Sequence, residues 1–274
     1  MSDSPFAVEI CRVSHCYPDG TESLKNVSLS IAKNRKLAIL GANGSGKTTL
    51  MMHFNGLNLA QSGTVKVFGE TVTQKNLREI RQKVGVLFDN PDNQLFSTTI
   101  FDDVAFGPFN MGYSEQEIIK RTNLALAETG ICKLSEKPPH NISLGQKKKA
   151  AIAGLLSMQP KIFVMDEPFS GLDPESVTDF FNILDRLHQQ GCTLIISTHN
   201  VDQAYAWADD AAILNNGHLV ALGNWEILCD KAILAKAQLR LPMLAQIFGH
   251  TEFRPRTALE AEVLMKTPAP TTRQ

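Results

Sequence analysis

The sequence predicts an α/β fold, and three observations carry that expectation. Short continuous apolar runs alternate with longer amphipathic stretches. A glycine-rich loop with a terminal Lys-Thr sits between one apolar run and a helical stretch. A second apolar run ends in two adjacent acids, as expected at the carboxyl edge of a parallel sheet.

The elements follow in order. Residues 7–17 (AVEICRVSHCY), 27–31 (VSLSI) and 63–69 (GTVKVFG) show loose alternation and read as antiparallel strands beside a parallel core. KLAIL (36–40), VGVLF (84–88), KIFVM (161–165) and TLIIS (193–197) are short, continuous and bounded by polar turns, the pattern of strands buried on both faces. Helical periodicity covers about 46–57, 114–129, 143–158 and 174–190. The alternation fades after residue 222, and from Asn224 the chain is rich in leucine and alanine without strand signals. Thr257 and Glu260 have the spacing of a capping box opening a last short helix, and the tail TPAPTTRQ is expected to fray. The division expected is a main domain over 1–222 and a small helical extension over 223–274, with no internal repeat.

Composition narrows the function classes. The 274 residues are 43% hydrophobic and 20% charged, with a formal net charge of −1. That excludes a disordered chain, a collagen-like repeat and a broadly basic surface for wrapping nucleic acid. No run of apolar residues is long enough to span a bilayer, and the N-terminus lacks the basic and apolar regions of a secretory signal. The five scattered cysteines suit free thiols in a reducing compartment.

The strongest motif is Gly41-Ala42-Asn43-Gly44-Ser45-Gly46-Lys47-Thr48, which fits G-x-x-x-x-G-K-[ST] between a strand and a helix. Glycines let the loop curl so that backbone N–H groups converge on phosphate oxygens, and the helix N-terminus adds partial positive charge. Lys47 would reach the β- and γ-phosphates and Thr48 would offer its hydroxyl to Mg²⁺. The nucleotide-binding set is therefore Gly41, Asn43, Gly44, Ser45, Gly46, Lys47, Thr48 and Thr49. In Asp166-Glu167, Asp166 would hold Mg²⁺ and Glu167 would orient or deprotonate the attacking water. Alone, such a pair often only caps a helix; beside a phosphate loop it reads as functional.

At this point the chain resembles the nucleotide-binding subunit of ATP-binding cassette (ABC) transporters, over about residues 6–222. Ile142-Ser143-Leu144-Gly145-Gln146 resembles the LSGGQ signature, Ser170-Gly171-Leu172-Asp173 after Pro168 looks like the D-loop, and His199 falls at the switch histidine. Tyr17 falls where the family stacks an aromatic ring on adenine. The resemblance implies a mixed sheet with an antiparallel β subdomain and a helical signature subdomain. It further implies a head-to-tail dimer sandwiching two ATP molecules, with Ser143, Gly145, Gln146 and Asp173 serving the partner's nucleotide. Phe88-Asp89-Asn90-Pro91-Asp92-Asn93-Gln94-Leu95-Phe96 and Asp103–Pro108 resemble the energy-coupling-factor ATPases, nearest the cobalt importer ATPase and its nickel relatives. LRLPMLAQIF (239–248) is similar to that group's C-terminal helical extension. The implied partners are a transmembrane coupling subunit gripping residues near 90–108 and a membrane substrate-capture subunit. The ATPase itself would be a homodimer, peripheral to the cytoplasmic face of the membrane, with the extension used for dimerisation. A vitamin-type module is the alternative within the group.

Two positions depart from the family pattern. Asp89 stands where the Q-loop glutamine contacts Mg²⁺ and the attacking water, which makes it a catalytic and metal-ligating candidate with an added negative charge near the γ-phosphate. Gln94 lies too far along to replace it. Leu144 stands where the signature has its first glycine, so its side chain must point away from nucleotide. Lys147-Lys148-Lys149 reads as a solvated helical face rather than a phosphate-attracting patch. A non-transport ABC ATPase of the DNA-repair or translation class is disfavoured by the short interval between Lys47 and Ser143, without heptads, and by the single cassette. A phosphate-loop kinase or GTPase is disfavoured by the signature and by the lack of N-K-x-D.

Overall fold

The computed structural model describes residues 4–266. Two sheets organise the fold. An antiparallel sheet holds β1 (Phe6–Cys16), β2 (Glu22–Ala32), β4 (Ser62–Val67) and β5 (Glu70–Thr71), in the order β2-β1-β4-β5. The central sheet holds β3 (Lys36–Leu40), β6 (Val84–Leu87), β7 (Ile162–Met165), β8 (Thr193–Thr198), β9 (Asp210–Asn215) and β10 (His218–Asn224), in the order β10-β9-β3-β8-β7-β6. Every neighbour pair in it is parallel except β10 with β9.

The apolar runs form strands because both of their faces are covered. Leu37 and Ile39 of β3, Ile162 and Val164 of β7 and Ile195 of β8 face a core shared with β1, β2, β4 and helix α1 (Lys47–Phe54). The alternate residues Ala38, Leu40, Phe163, Met165, Leu194 and Ile196 face a second core. Side chains of period two thus explain why these segments carry no polar face. The second core is closed by α5 (Leu144–Met158), α6 (Pro174–Gln189) and α7 (Val201–Trp207).

The helical subdomain packs α3 (Ile100–Met111) and α4 (Glu115–Glu128) against α5, while α2 (Leu77–Lys83) leads into β6. No helix was expected over 100–111, because Gly107-Pro108 interrupts the pattern there. Gly107 is what the packing needs: a Cβ on it would lie 2.5 Å from Cγ of Met158. The β9–β10 hairpin adds two strands beyond the expected ones. Its turn places Asn216 at φ 47° and Gly217 at φ 81°, the Asn-Gly pairing that two-residue hairpin loops favour.

After Asn224 the described chain is helical, with α8 (Lys231–Lys236), α9 (Met243–Phe248) and α10 (Ala258–Lys266). Leu228, Leu234 and Ala245 join the same core as α5–α7. Arg256 fastens the segment before α10: its guanidinium donates to the carbonyls of Tyr205 and Ala208 at the end of α7 and lies 4.9 Å over the Trp225 ring. Those carbonyls lack helical partners, so the arginine acts as their cap. Thr257 accepts the N–H of Glu260 as expected, while the Glu260 carboxylate accepts from Arg256, one residue earlier than a capping box requires. The tail expected to fray, 267–274, lies outside the described residues. Among the described residues no helix is long and apolar enough to cross a membrane. All five cysteines are unpaired.

Candidate nucleotide site

In the parallel register Leu40 lies beside Thr198, and Met165 beside both Ile196 and Leu87. The carboxyl ends of β3, β6, β7 and β8 are therefore level, and four loops meet at one edge, where open α/β sheets bind ligands. A cavity of about 420 Å³ opens there, lined by Tyr17, Asn43, Gly44, Ser45, Gly46, Lys47, Thr48, Thr49, Asp89, Asp166 and Glu167, with Thr21 and Ser23.

The loop after β3 is shaped by close approach. Gly46 has φ 102° and a Cβ on it would sit 2.4 Å from the Ser23 carbonyl. It is also the N-cap of α1 and offers no capping side chain, so the first N–H groups of α1 remain available to an anion. Gly41 lies beneath the loop rather than in the cavity; its carbonyl and that of Ala42 accept from Lys47 Nζ at 2.9 and 3.2 Å. Burial holds the Lys47 ammonium below the usual lysine range, opposed by the charges of Glu167 and Asp166. Thr48 donates to Asp166 Oδ2 at 2.5 Å, and Asp89 borders the same space. These oxygens fit a hard cation that keeps several ligands from water and phosphate. Among the described residues no denser cluster of metal-ligating side chains exists.

Asp166 and Glu167 are held from behind by Ser197, a residue that sequence reasoning missed. Its hydroxyl donates to Asp166 Oδ1 and accepts the Glu167 N–H at 2.9 Å. A serine ending an otherwise apolar buried strand at the functional edge was the available signal. Glu167 has φ 42°, a left-handed conformation that costs a non-glycine residue about 1–3 kcal/mol and persists only where surroundings over-determine it. Its carboxylate oxygens lie 3.0 and 3.1 Å from Nδ1 of His199, which sits at the rim.

Tyr17 reaches the cavity from the end of β1. Its hydroxyl pairs with Thr49 at 2.8 Å, and its ring meets His15 edge-on at 4.8 Å, so the ring is held beside the phosphate loop. Gln94 stitches its loop to α5, accepting from the N–H of Phe88 and donating to the carbonyl of Ala151, and it does not line the cavity.

Six predicted residues do not line the cavity: Gly41 beneath the loop, His199 beside Glu167, and four at the starts of α5 and α6. Ser143 and Gln146 close a capping box on α5, with Gln146 N to Ser143 Oγ at 3.3 Å and Ser143 N to Gln146 Oε1 at 3.1 Å. Asp173 caps α6, accepting from Ser176 N at 2.8 Å, a bond that lowers its pKa. Gly145 faces Ser176, so the two helix starts lie together on a separate surface.

The lysine run needs correction. Lys147 pairs with Asp92 and Lys149 with Asp179, both at 2.6 Å, but Lys148 is only 1% exposed and lies beneath the site. A helix that packs on both sides of its seam cannot keep three consecutive side chains on one wet face.

A strand–glycine loop–helix grip, two acids at the end of β7 across β8 from it, and a separate capped signature helix together define a phosphate-loop ATPase of the cassette class. The comparisons agree. A family model described as "ABC transporter" matches residues 24–170. The energy-coupling factor transporter ATP-binding protein EcfA of Carboxydothermus hydrogenoformans is 48% identical over 247 residues, covering 90% of this chain and 92% of that protein. The structure of cbiO1 from Clostridium perfringens, part of the ABC transporter complex cbiONQ, is 37% identical with a TM-score of 0.76, covering 90% of this chain and 100% of that one. A dimeric ATP-binding cassette in a post-hydrolysis state with ADP and Pi is 26% identical with a TM-score of 0.73, covering 80% of this chain and 98% of that one. The chain belongs to the ABC transporter family, as an ATP-binding, ATP-hydrolysing subunit of the energy-coupling factor transporters.

Proposed function

We propose that this subunit is the motor of a cobalt or nickel importer, working as a head-to-tail homodimer that closes on two ATP molecules and opens on hydrolysis. The observation that carries the site assignment is the convergence of Lys47, Thr48, Asp89, Asp166 and Glu167 around one cavity at the sheet edge. Tyr17 takes the adenine face. The N–H groups of Gly44 through Thr49 and the ammonium of Lys47 hold the phosphates. Thr48, Asp166 and Asp89 would hold Mg²⁺, which neutralises charge on the β- and γ-phosphates. Glu167 orients the attacking water and accepts its proton, and His199, already on the Glu167 carboxylate, keeps that group directed at the γ-phosphate side. Ser143, Gly145, Gln146 and Asp173 serve the partner's nucleotide; what supports this is their placement on a surface away from the chain's own cavity.

The membrane partners dock on the helical subdomain. The support is a cluster of exposed aromatics, Phe96, Phe106 and Phe109, beside an apolar groove floored by Gly107, Met111 and Met158. Met243, Ile247, Leu259 and Val263 leave a second apolar surface on the extension 223–274, suited to dimerisation. The subunit works peripherally, on the cytoplasmic side where ATP is supplied; the support is its likeness to energy-coupling factor transporter ATP-binding proteins.

The test of the motor is Glu167→Gln. The variant should form ATP-dependent dimers by light scattering, with turnover reduced at least a hundredfold. Hydrolysis at the parent rate would overturn the assignment. The cargo is tested by uptake of radioactive cobalt and nickel in vesicles holding the co-purified membrane subunits; uptake of a vitamin instead would move the protein to the vitamin-type module.

A further inference from the structure

Leu144, one departure from the family pattern, and Lys148 meet at one loop, and Asp89, the other departure, lies beside Lys148. The loop is Glu167–Leu172, which begins with the proposed water-orienting glutamate. Lys148 Nζ donates to three of its carbonyls: Glu167 at 3.1 Å, Pro168 at 3.2 Å and Ser170 at 2.8 Å. Those bonds use all three hydrogens of the ammonium. Leu144 lies one turn earlier on the same face of α5, and its Cδ2 would be 2.8 Å from a Cβ on Gly171. The signature helix therefore clamps the loop at two points, one apolar and one ionic.

The ionic point bears directly on Glu167. That residue is in a left-handed conformation, with its N–H held by Ser197 and its C=O shared by Lys148 and the Ser170 N–H, both at 3.1 Å. A buried ammonium bonded only to neutral carbonyls still needs a counter-charge. Lys147 and Lys149 have taken Asp92 and Asp179; the acid paired with Lys148 is Asp89, with Oδ1 at 3.9 Å, and the Glu167 carboxylate acts on the same ammonium more weakly. Asp89 is 57% exposed and faces the nucleotide cavity on its other side.

We propose that Lys148 is a positioning residue for Glu167, and that Asp89 is its counter-charge, so that this charge pair links the loop after β6 to the loop bearing the glutamate. The negative charge that a Q-loop aspartate brings toward the γ-phosphate is then balanced from within the same subunit. The loop's geometry follows from whether Asp89 faces the lysine or the nucleotide. This inference rests on reading Glu167 as the residue that handles the attacking water.

The test is a double-mutant cycle on ATP turnover by the full-length protein, using Lys148→Met, Asp89→Asn and the two combined, with fluorescent ATP-analogue binding and thermal unfolding measured alongside. Lys148→Met should lower kcat at least tenfold, because the glutamate loses its support while Asp89 becomes an unopposed charge. Adding Asp89→Asn should recover threefold or more of that loss and should restore the affinity for the analogue. Losses that simply multiply, or a Lys148→Met kcat within twofold of the parent, would overturn the proposal. If Lys148→Met does not fold, Lys148→Gln, which keeps two donors for the carbonyls, is read in the same cycle with the same criteria. Glu167→Gln, run in parallel, separates the two ideas: if it stays active the reading of Glu167 fails, whereas an inactive Glu167→Gln with an uncoupled cycle removes only the role of Lys148.

Discussion

Replacing Ser197 by alanine isolates what holds the corner of Asp166 and Glu167 together. The side chain is fully buried at the end of β8 and makes two bonds, one from the Glu167 N–H and one to the Asp166 carboxylate. Ser197→Ala leaves the N–H unpaired, at a cost of about 1–3 kcal/mol, and removes a bond to a charged acceptor worth about 1.5–3 kcal/mol. Asp166 keeps the Thr48 hydroxyl at 2.5 Å, which places the second loss at the low end. The expected destabilisation is about 2.5–4.5 kcal/mol, or roughly 5–18 °C in Tm for a domain of this size. Because Glu167 is released from a strained conformation, kcat should fall by about tenfold to a hundredfold, while KM for ATP changes less than about threefold, the phosphate loop being untouched. Urea unfolding and phosphate release across ATP concentrations measure both. A variant that loses stability but keeps its kcat would refute the claim that Ser197 orients the glutamate, and an unchanged Tm would refute the bonding account.

Gly46→Ala places a methyl against the Ser23 carbonyl at a residue with φ 102°, so nucleotide binding should weaken more than tenfold by fluorescent-analogue titration; normal affinity would contradict the close approach. Ser143→Arg should abolish turnover while leaving nucleotide binding by the isolated monomer within about threefold, and comparable damage to monomer binding would rule out service in trans. Burial holds the pKa values of His53 and His15 below the ordinary histidine value, and His53 Nδ1 meets the Thr49 carbonyl at 2.7 Å. Their neutral forms are favoured in the folded state, so this stabilisation is complete above about pH 6.5 and is lost as pH falls through the lowered folded values. Tm should therefore drop between pH 7.5 and 5.5, and the drop should shrink in His53→Gln; an equal drop would move the acid sensitivity elsewhere.

The phosphate loop was legible because its function is local: glycines, Lys47 and Thr48 are contiguous, and their strand and helix flank them directly. The pair Asp166-Glu167 was legible for the same reason, as the polar end of an apolar run. The strands of the central sheet were legible from their continuity, and the structure explains that continuity by two cores, one on each face. Helix α3 escaped because Gly107-Pro108 reads as a break, although the glycine serves contact with Met158. The β9–β10 hairpin is marked in the sequence only by Asn216-Gly217.

From the sequence alone came the fold class, the nucleotide grip, the family resemblance and the position of the unusual Asp89. The tertiary structure alone decided what surrounds those residues. It brought Ser197 behind both acids, set Thr48 against Asp166 across 118 positions of chain, and selected the middle one of three consecutive lysines for burial beneath Glu167. The physical reason is that phosphate binding by a curled loop depends on backbone geometry that neighbouring residues dictate. The balance of a buried charge depends on which dipoles and counter-charges the packed elements bring near it, and no spacing along the chain records that.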